Sequence, residues 1–413
     1  MSRYVDLIKV PQFSIFLTGR IISGFGDILF TMATMWYVLS KTNSPLATSV
    51  VPLVPSLTYL VLSLPASTLV DKLPKKPILI AAELFRGLVV LVTAWLMSAS
   101  RITPLQIYIA NFLLSLVGEL FNPAQQAVLP TILPDPSKQL VQANGLLSSG
   151  SQLTKLTGYG LGGVIVAWLH PYFAAMGDGI SFIISALMFV PIYIPSMTLG
   201  GRLRLGGFVR DSLDGIKFVL AKPILRTLTL FSAIVNLSLG SLGIFSATFA
   251  KTVLHSGVVG YGWLEAAFAI GGILGALMAA RFISHIKARL LVCLSYLLAG
   301  SAMVINSLVG NQAVSIILFT VIAASISMLN IPLATSIQLL APDNMRARVT
   351  SSFWLMVGGI PAPTGLLVFG WLMNMVGPRQ LFEYIGYFLL AAGFSSLFLR
   401  SFRSDTTFDE LFL

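Results

Sequence analysis

The sequence predicts an all-α integral membrane protein: twelve transmembrane helices in two six-helix bundles related by an internal repeat. Three observations predict it. Of the 413 residues, 56% are hydrophobic and only 10% are charged, where a soluble domain carries about 25% charged residues; the mean hydropathy is +0.88. The chain also divides into twelve apolar runs, each close to the roughly 20 residues that a spanning helix needs. Finally, its two halves come into register at an offset of 208 residues.

In chain order the runs lie at 12–38, 46–69, 78–99, 104–127, 141–168 and 172–194, then at 224–250, 259–282, 290–309, 312–336, 349–375 and 380–401, separated by charged or Pro/Gly-rich links. The opening segment MSRYVDLIKVPQFS has scattered charge and no small-residue cleavage site after a short apolar core, so the first run is expected to remain as a span. With the N-terminus placed in the cytoplasm, 19 of the 26 Lys and Arg fall on inner segments. Four fall on outer loops (Lys41, Arg101, Lys251, Arg379) and three inside spans (Arg20, Arg86, Lys155). That asymmetry predicts both termini inside. The net charge of +11 is thereby explained as inner-loop charge, and no aromatic–basic interleaving points to nucleic acid. The single cysteine, Cys293, excludes an internal disulfide framework.

The repeat predicts the domain organisation. FNPAQQAVLPTILPD (121–135) lies over LNIPLATSIQLLAPD (329–343), matching Asn122 with Asn330 and Pro134-Asp135 with Pro342-Asp343; at the same offset Leu69 falls on Leu277 and Gly162 on Gly370. The expected parts are an N-terminal bundle (1–195), a basic linker with an amphipathic surface helix (196–223) and a C-terminal bundle with a short tail (224–413).

Several motifs carry a family resemblance. STLVDKLPKKP (67–77), after the second span, resembles the Gly-x-Leu-x-Asp-Arg-x-x-Arg-Lys loop of the major facilitator superfamily, with Leu69, Asp71, Lys72, Lys75 and Lys76 in the expected places and Ser67 where glycine is usual. LTGYGLGGVI (156–165) is similar to the Gly-Pro-x-x-Gly-Gly element of its antiporters: Gly158, Gly162 and Gly163 match, and Tyr159 stands where proline is usual. GRIISGFGDILF, QANGLLSSGSQ and PDNMRARV look like the drug:proton antiporter branch with macrolide-efflux and enterobactin-exporter proteins; lysophospholipid transporters share much of the pattern. The resemblance covers essentially the whole chain. It implies a secondary transporter, the loop acting as a gate with Glu83 and Arg86 and the glycine element marking export.

Charges inside spans are functional candidates in need of partners. By position along their helices, Arg20 and Glu119 sit near 12 Å from the inner surface, and Asp27 and Lys155 approach the midplane. Equal depth, together with the helix neighbours the resemblance implies (first and fourth spans lining the cavity, the fifth adjoining the first), predicts Arg20–Glu119 and Asp27–Lys155 pairs, either as static struts or with Asp27 or Glu119 exchanging a proton. Glu83 and Arg86, spaced i,i+3, are expected to pair along the third span or with the loop. Asp178, Glu265 and Glu383 are placed near outer span ends, Glu265 deep enough to stay a cavity candidate. Asn236, Asn330 and Trp354 are the other cavity candidates of a C-terminal half poor in deep charge.

No phosphate-binding Gly-x-x-x-x-Gly-Lys-Ser/Thr loop occurs, and His170, His255 and His285 have no ligand spacing. An enzyme is therefore not expected, nor a cofactor or a metal. The expected function is proton-coupled efflux of amphipathic small molecules from the inner (cytoplasmic) membrane by a monomer in contact with membrane lipids. A lysophospholipid flippase or importer is the alternative, and a non-transporting sensor on the same fold a remote one.

Overall fold

The computed structural model describes residues 6–194, 214–282, 287–340 and 346–398; Leu64, Thr68, Asp71, Ile224, Ala280, Phe282, Ala288 and residues 331–340 and 346–348 are described by backbone alone. Ten helices among the described residues are long and apolar enough to cross a membrane. Two of them, Pro136–Phe189 with 54 residues and Val349–Ser396 with 48, are too long for one crossing, since a straight helix of that length spans about 70–80 Å. Each holds a corner. His170 adopts φ 63, ψ 156 before Pro171, and Gly377 adopts φ 80, ψ 165 before Pro378. The proline lacks the N–H that would continue the helix and its ring disfavours helical geometry just before it. The two corners are 207 residues apart, within one residue of the sequence repeat, and they bring the crossings to twelve.

The first span, Pro11–Thr42, starts with proline at its N-terminus and stops at Asn43, whose left-handed conformation (φ 51) lets its N–H bond Leu39 O. The second (Pro45–Lys72) tolerates three internal prolines. The third (Lys75–Ser98) begins three residues earlier than expected. The fourth (Pro104–Val128) opens on a reciprocal Thr103–Gln106 capping box. The fifth and sixth are the two arms of Pro136–Phe189. In the second half, the seventh span breaks between Pro223–Leu239 and Leu242–Thr252. The eighth to tenth are Gly257–Phe282, Ala288–Leu308 and Gln312–Leu340. The eleventh passes through a five-residue π turn, Leu355–Gly359, before Pro361.

Two compact units result: Met1–Asn43 with Val50–Leu203, and Ser44–Ser49 with Arg204–Leu413. Residues 214–221 of the linker are helical; its segment 196–213 lies outside the described residues. In the first unit Phe13, Phe16, Phe121 and Phe189 pack with Val70 and Leu79. In the second, Phe382 gathers Phe245, Phe249 and Phe319 at ring-centroid distances of 5.0, 5.2 and 6.0 Å.

Candidate functional site

The buried charges of the first unit converge on the middle of the first span. Arg86 Nη2 donates to Asp27 Oδ1 at 2.8 Å, with the arginine side chain 12% exposed and the aspartate 40% exposed. The same guanidinium lies 4.1 Å from the Phe182 ring centroid and 5.9 Å from that of Phe121, and the Arg20 guanidinium lies 5.0 Å from that of Phe121. Ring faces stabilise desolvated cations by roughly 0.5–2 kcal/mol each, so the aromatic side chains partly replace the water these arginines have lost. Glu83, wholly buried, accepts a long 3.5 Å hydrogen bond from Ser23. Asp178 is equally buried; its Oδ1 accepts from Ser181 at 3.3 Å, and its Oδ2 has no hydrogen-bond partner among the described residues.

Gly26 makes this convergence sterically feasible. A Cβ there would overlap Asp178 Oδ1 and Ser181 Oγ, so only glycine lets the sixth span bring a carboxylate against the first span beside Asp27. On its open side Asp27 faces a cavity of about 350 Å³, lined also by Arg20, Lys155, Gln125, Ser151 and Thr154. Asp27 thus stands on a boundary, with one side turned to a polar cavity and the other to a buried arginine.

The expected pairings need correction. Asp27 pairs with Arg86 and not with Lys155, which is exposed in the same cavity. Starting the third helix at Lys75 puts Arg86 about 16 Å along it, level with Asp27 and deeper than the sequence count placed it. Arg86 accordingly turns to the first span instead of pairing with Glu83 or the loop. Arg20 does not pair with Glu119. The fourth span offers it Phe121, and residues two apart on a helix point about 200° apart, so Glu119 faces elsewhere. Glu119 is buried, with no ion-pair partner among the described residues. Asp178, expected near water at a span end, is in fact at 0% exposure. Depth was read correctly only where the helix start was, as for Arg20 and Asp27, and direction around the helix was not readable. Phe182 could have been found, because it lies one turn from Asp178 on the same face.

The remaining candidates serve more local roles. Lys75 Nζ donates to Val70 O at 2.6 Å and Leu73 O at 2.9 Å, and Lys76 Nζ to Val190 O at 2.7 Å, capping helix-end carbonyls. Lys72 is half-buried, and the Asp71 side chain lies outside the described residues. Gly158 and Gly162 press on the first span: a Cβ would lie 3.0 Å from Ile28 Cδ1 and 2.9 Å from Met32 Sδ. Gly163 is buried in the same helix. In the second unit, the half-buried Glu265 accepts from the Ser246 hydroxyl. Asn236 Nδ2 is used on Ser232 O, 2.9 Å away in its own helix. Asn330 is half-buried, and Trp354, 48% exposed, packs edge-on against Phe353.

Sequence comparison places this architecture in a known group. The family described as transmembrane secretion effector, of the major facilitator superfamily, matches residues 6–407. The chain belongs to that family. It is 25% identical over 405 residues to the multidrug efflux pump Tap of Mycolicibacterium fortuitum, covering 94% of this chain and 95% of Tap. It is 23% identical over 388 residues to macrolide efflux protein A of Streptococcus pyogenes, covering 90% and 92%. Among solved structures, the nucleoside transporter NupG superposes with a TM-score of 0.73 at 12% identity, covering 94% of this chain and 99% of NupG. A bacterial homologue of the lysosomal transporter Spinster reaches 0.74 at 15%, covering 96% and 98%. At such identities the structural likeness speaks for the fold alone. The chain is a multi-pass membrane protein of a transporter family.

Proposed function

We propose that this transporter exports amphipathic small organic molecules in exchange for protons, by alternating access, with the Asp27–Arg86 pair as the coupling element. The observation that carries the reading is the Asp27–Arg86 ion pair, held at 2.8 Å with Arg86 buried and Asp27 open to a cavity. A pair on such a boundary is reached from the cavity on one side and holds a buried cation on the other, so that whatever takes the carboxylate governs the cation, which is what coupling requires. The multidrug and macrolide efflux relatives support the substrate class. The protein works as a monomer in the cytoplasmic membrane with both termini inside, draws on the proton gradient and needs no cofactor.

Purified protein in liposomes tests this. Ethidium and erythromycin should move against an imposed pH gradient, and transport should stop when an ionophore collapses it. Transport unaffected by that collapse would overturn the coupling.

One observation favours a second reading. An apolar groove of about 520 Å³ runs between the first, fifth and sixth spans, lined by Ile21, Phe25, Leu153, Ile180 and Ile184. It suits an acyl chain, as in a lysophospholipid. Uptake of lysophosphatidylethanolamine by the same liposomes, with no movement of ethidium, would establish that reading in place of the first.

A further inference from the structure

Three carboxylates and two guanidiniums share the interior of the first unit: Asp27, Glu83 and Asp178 against Arg20 and Arg86. An unpaired carboxylate in that setting is strongly disfavoured. Asp27 already occupies Arg86 Nη2, while Arg86 Nε and Asp178 Oδ2 are both buried without hydrogen-bond partners among the described residues. The charged groups of neighbouring elements near enough to act on Asp178 are the carboxylates of Asp27 and Glu83 and the guanidinium of Arg86. Its own helix adds the Ser181 hydroxyl. Lys155 of the fifth span lines the cavity instead.

The geometry points to Asp178 as the seat of the exchanged proton and to Arg86 as a cation handed between two acids, so that a cationic amphiphile and the proton exclude each other. This rests on the proton-coupled reading above and names its substrate charge. In one state Arg86 pairs with Asp27, and Asp178 carries a proton on Oδ2. A substrate cation entering the 350 Å³ cavity takes the Asp27 carboxylate. Arg86 then turns to Asp178, which becomes its anionic partner as the proton leaves. One cation is bound and one proton released; Asp27 stays ionised throughout, and in both states Arg86 faces an ionised carboxylate. Gly26 is what lets Asp178 pack against the first span next to Asp27, since any side chain there would overlap Asp178. The apolar residues of the cavity, Leu17, Ile21, Ile28 and Leu147, suit the hydrophobic body of such a cation.

The test uses the full-length protein in detergent, with tetraphenylphosphonium as the probe cation. Binding is measured by calorimetry in two buffers of different ionisation enthalpy, which counts the protons released. Wild type should release close to one proton per cation, and affinity should rise about tenfold per pH unit wherever Asp178 is protonated in the free protein. Asp178→Asn should still bind the cation but release almost no proton, with affinity changing less than about twofold per pH unit; Asp178→Glu should restore the release. A measurement on wild type alone guards against a variant that does not fold: the infrared carbonyl band of a protonated carboxylic acid should disappear on binding. Full proton release by a folded Asp178→Asn, or an unchanged carbonyl band in wild type, would overturn the assignment. Failure of wild type to bind the cation would overturn the substrate charge. Wild-type binding without proton release would instead remove the proton-coupled reading on which the assignment rests.

Discussion

The two halves of this transporter share a helix plan and differ in what they bury. Each ends in a pair of helices joined at a proline corner, at His170-Pro171 and Gly377-Pro378. The first half holds five charged side chains around the middle of its first span, ordered by one ion pair and by the rings of Phe121 and Phe182. The second half fills its interior with Phe245, Phe249, Phe319 and Phe382, and offers Glu265 on a serine hydroxyl. The difference teaches that a duplicated backbone does not imply duplicated chemistry. Burying charge needs partners from several helices at once, and among the described residues only the first half assembles them. An aromatic interior needs only volume and shape.

The largest expected effect breaks the charged half. Asp27→Asn takes from the buried Arg86 the anion it holds in the structure. Removing one partner of a fully buried pair costs about 3–5 kcal/mol; with Asp27 40% exposed, a loss of about 2–3 kcal/mol is expected. It should show as a lowered melting temperature of the purified protein, together with loss of proton-driven transport. Gly26→Ala comes next. Its methyl group would collide with Asp178 and Ser181, and overpacking of this kind costs about 1–3 kcal/mol. Thermal unfolding checks it, and Ser181→Gly in the same chain should recover part of the loss. A smaller change follows Phe121→Leu, which keeps apolar volume but removes the ring beneath Arg20; about 0.5–1.5 kcal/mol is expected.

The comparison is sharpened at the bottom of the scale by Glu265→Gln. The amide can still accept from Ser246, so at most about 1 kcal/mol should be lost, with pH-driven transport intact. A fall as large as that of Asp27→Asn would show that the second half carries coupling charge after all.

The sequence made some of this legible and not the rest. Span number and repeat were readable because hydrophobic length and loop charge are one-dimensional signals, and the two proline corners kept the repeat within one residue. Asp27, Arg20 and Lys155 were singled out because charge is rare in apolar runs, and the fold does bring them to one cavity. Their partners were not readable. Pairing depends on azimuth and on where each helix starts: a three-residue error at Lys75 hid Arg86 as the partner of Asp27. A two-residue step on the fourth span put Phe121 where Glu119 was expected. Asp178 was misjudged because nothing in a linear count reveals that Gly26 opens a place for it.

The central claim is that coupling resides in the Asp27–Arg86 pair of the first half. Its most direct test is ethidium transport into liposomes at a series of imposed pH gradients, for wild type, Asp27→Asn and Glu265→Gln side by side. Rates for wild type and Glu265→Gln should rise together with the gradient, while Asp27→Asn should give a flat line. An Asp27→Asn protein whose rate still climbs with the pH gradient would contradict the account.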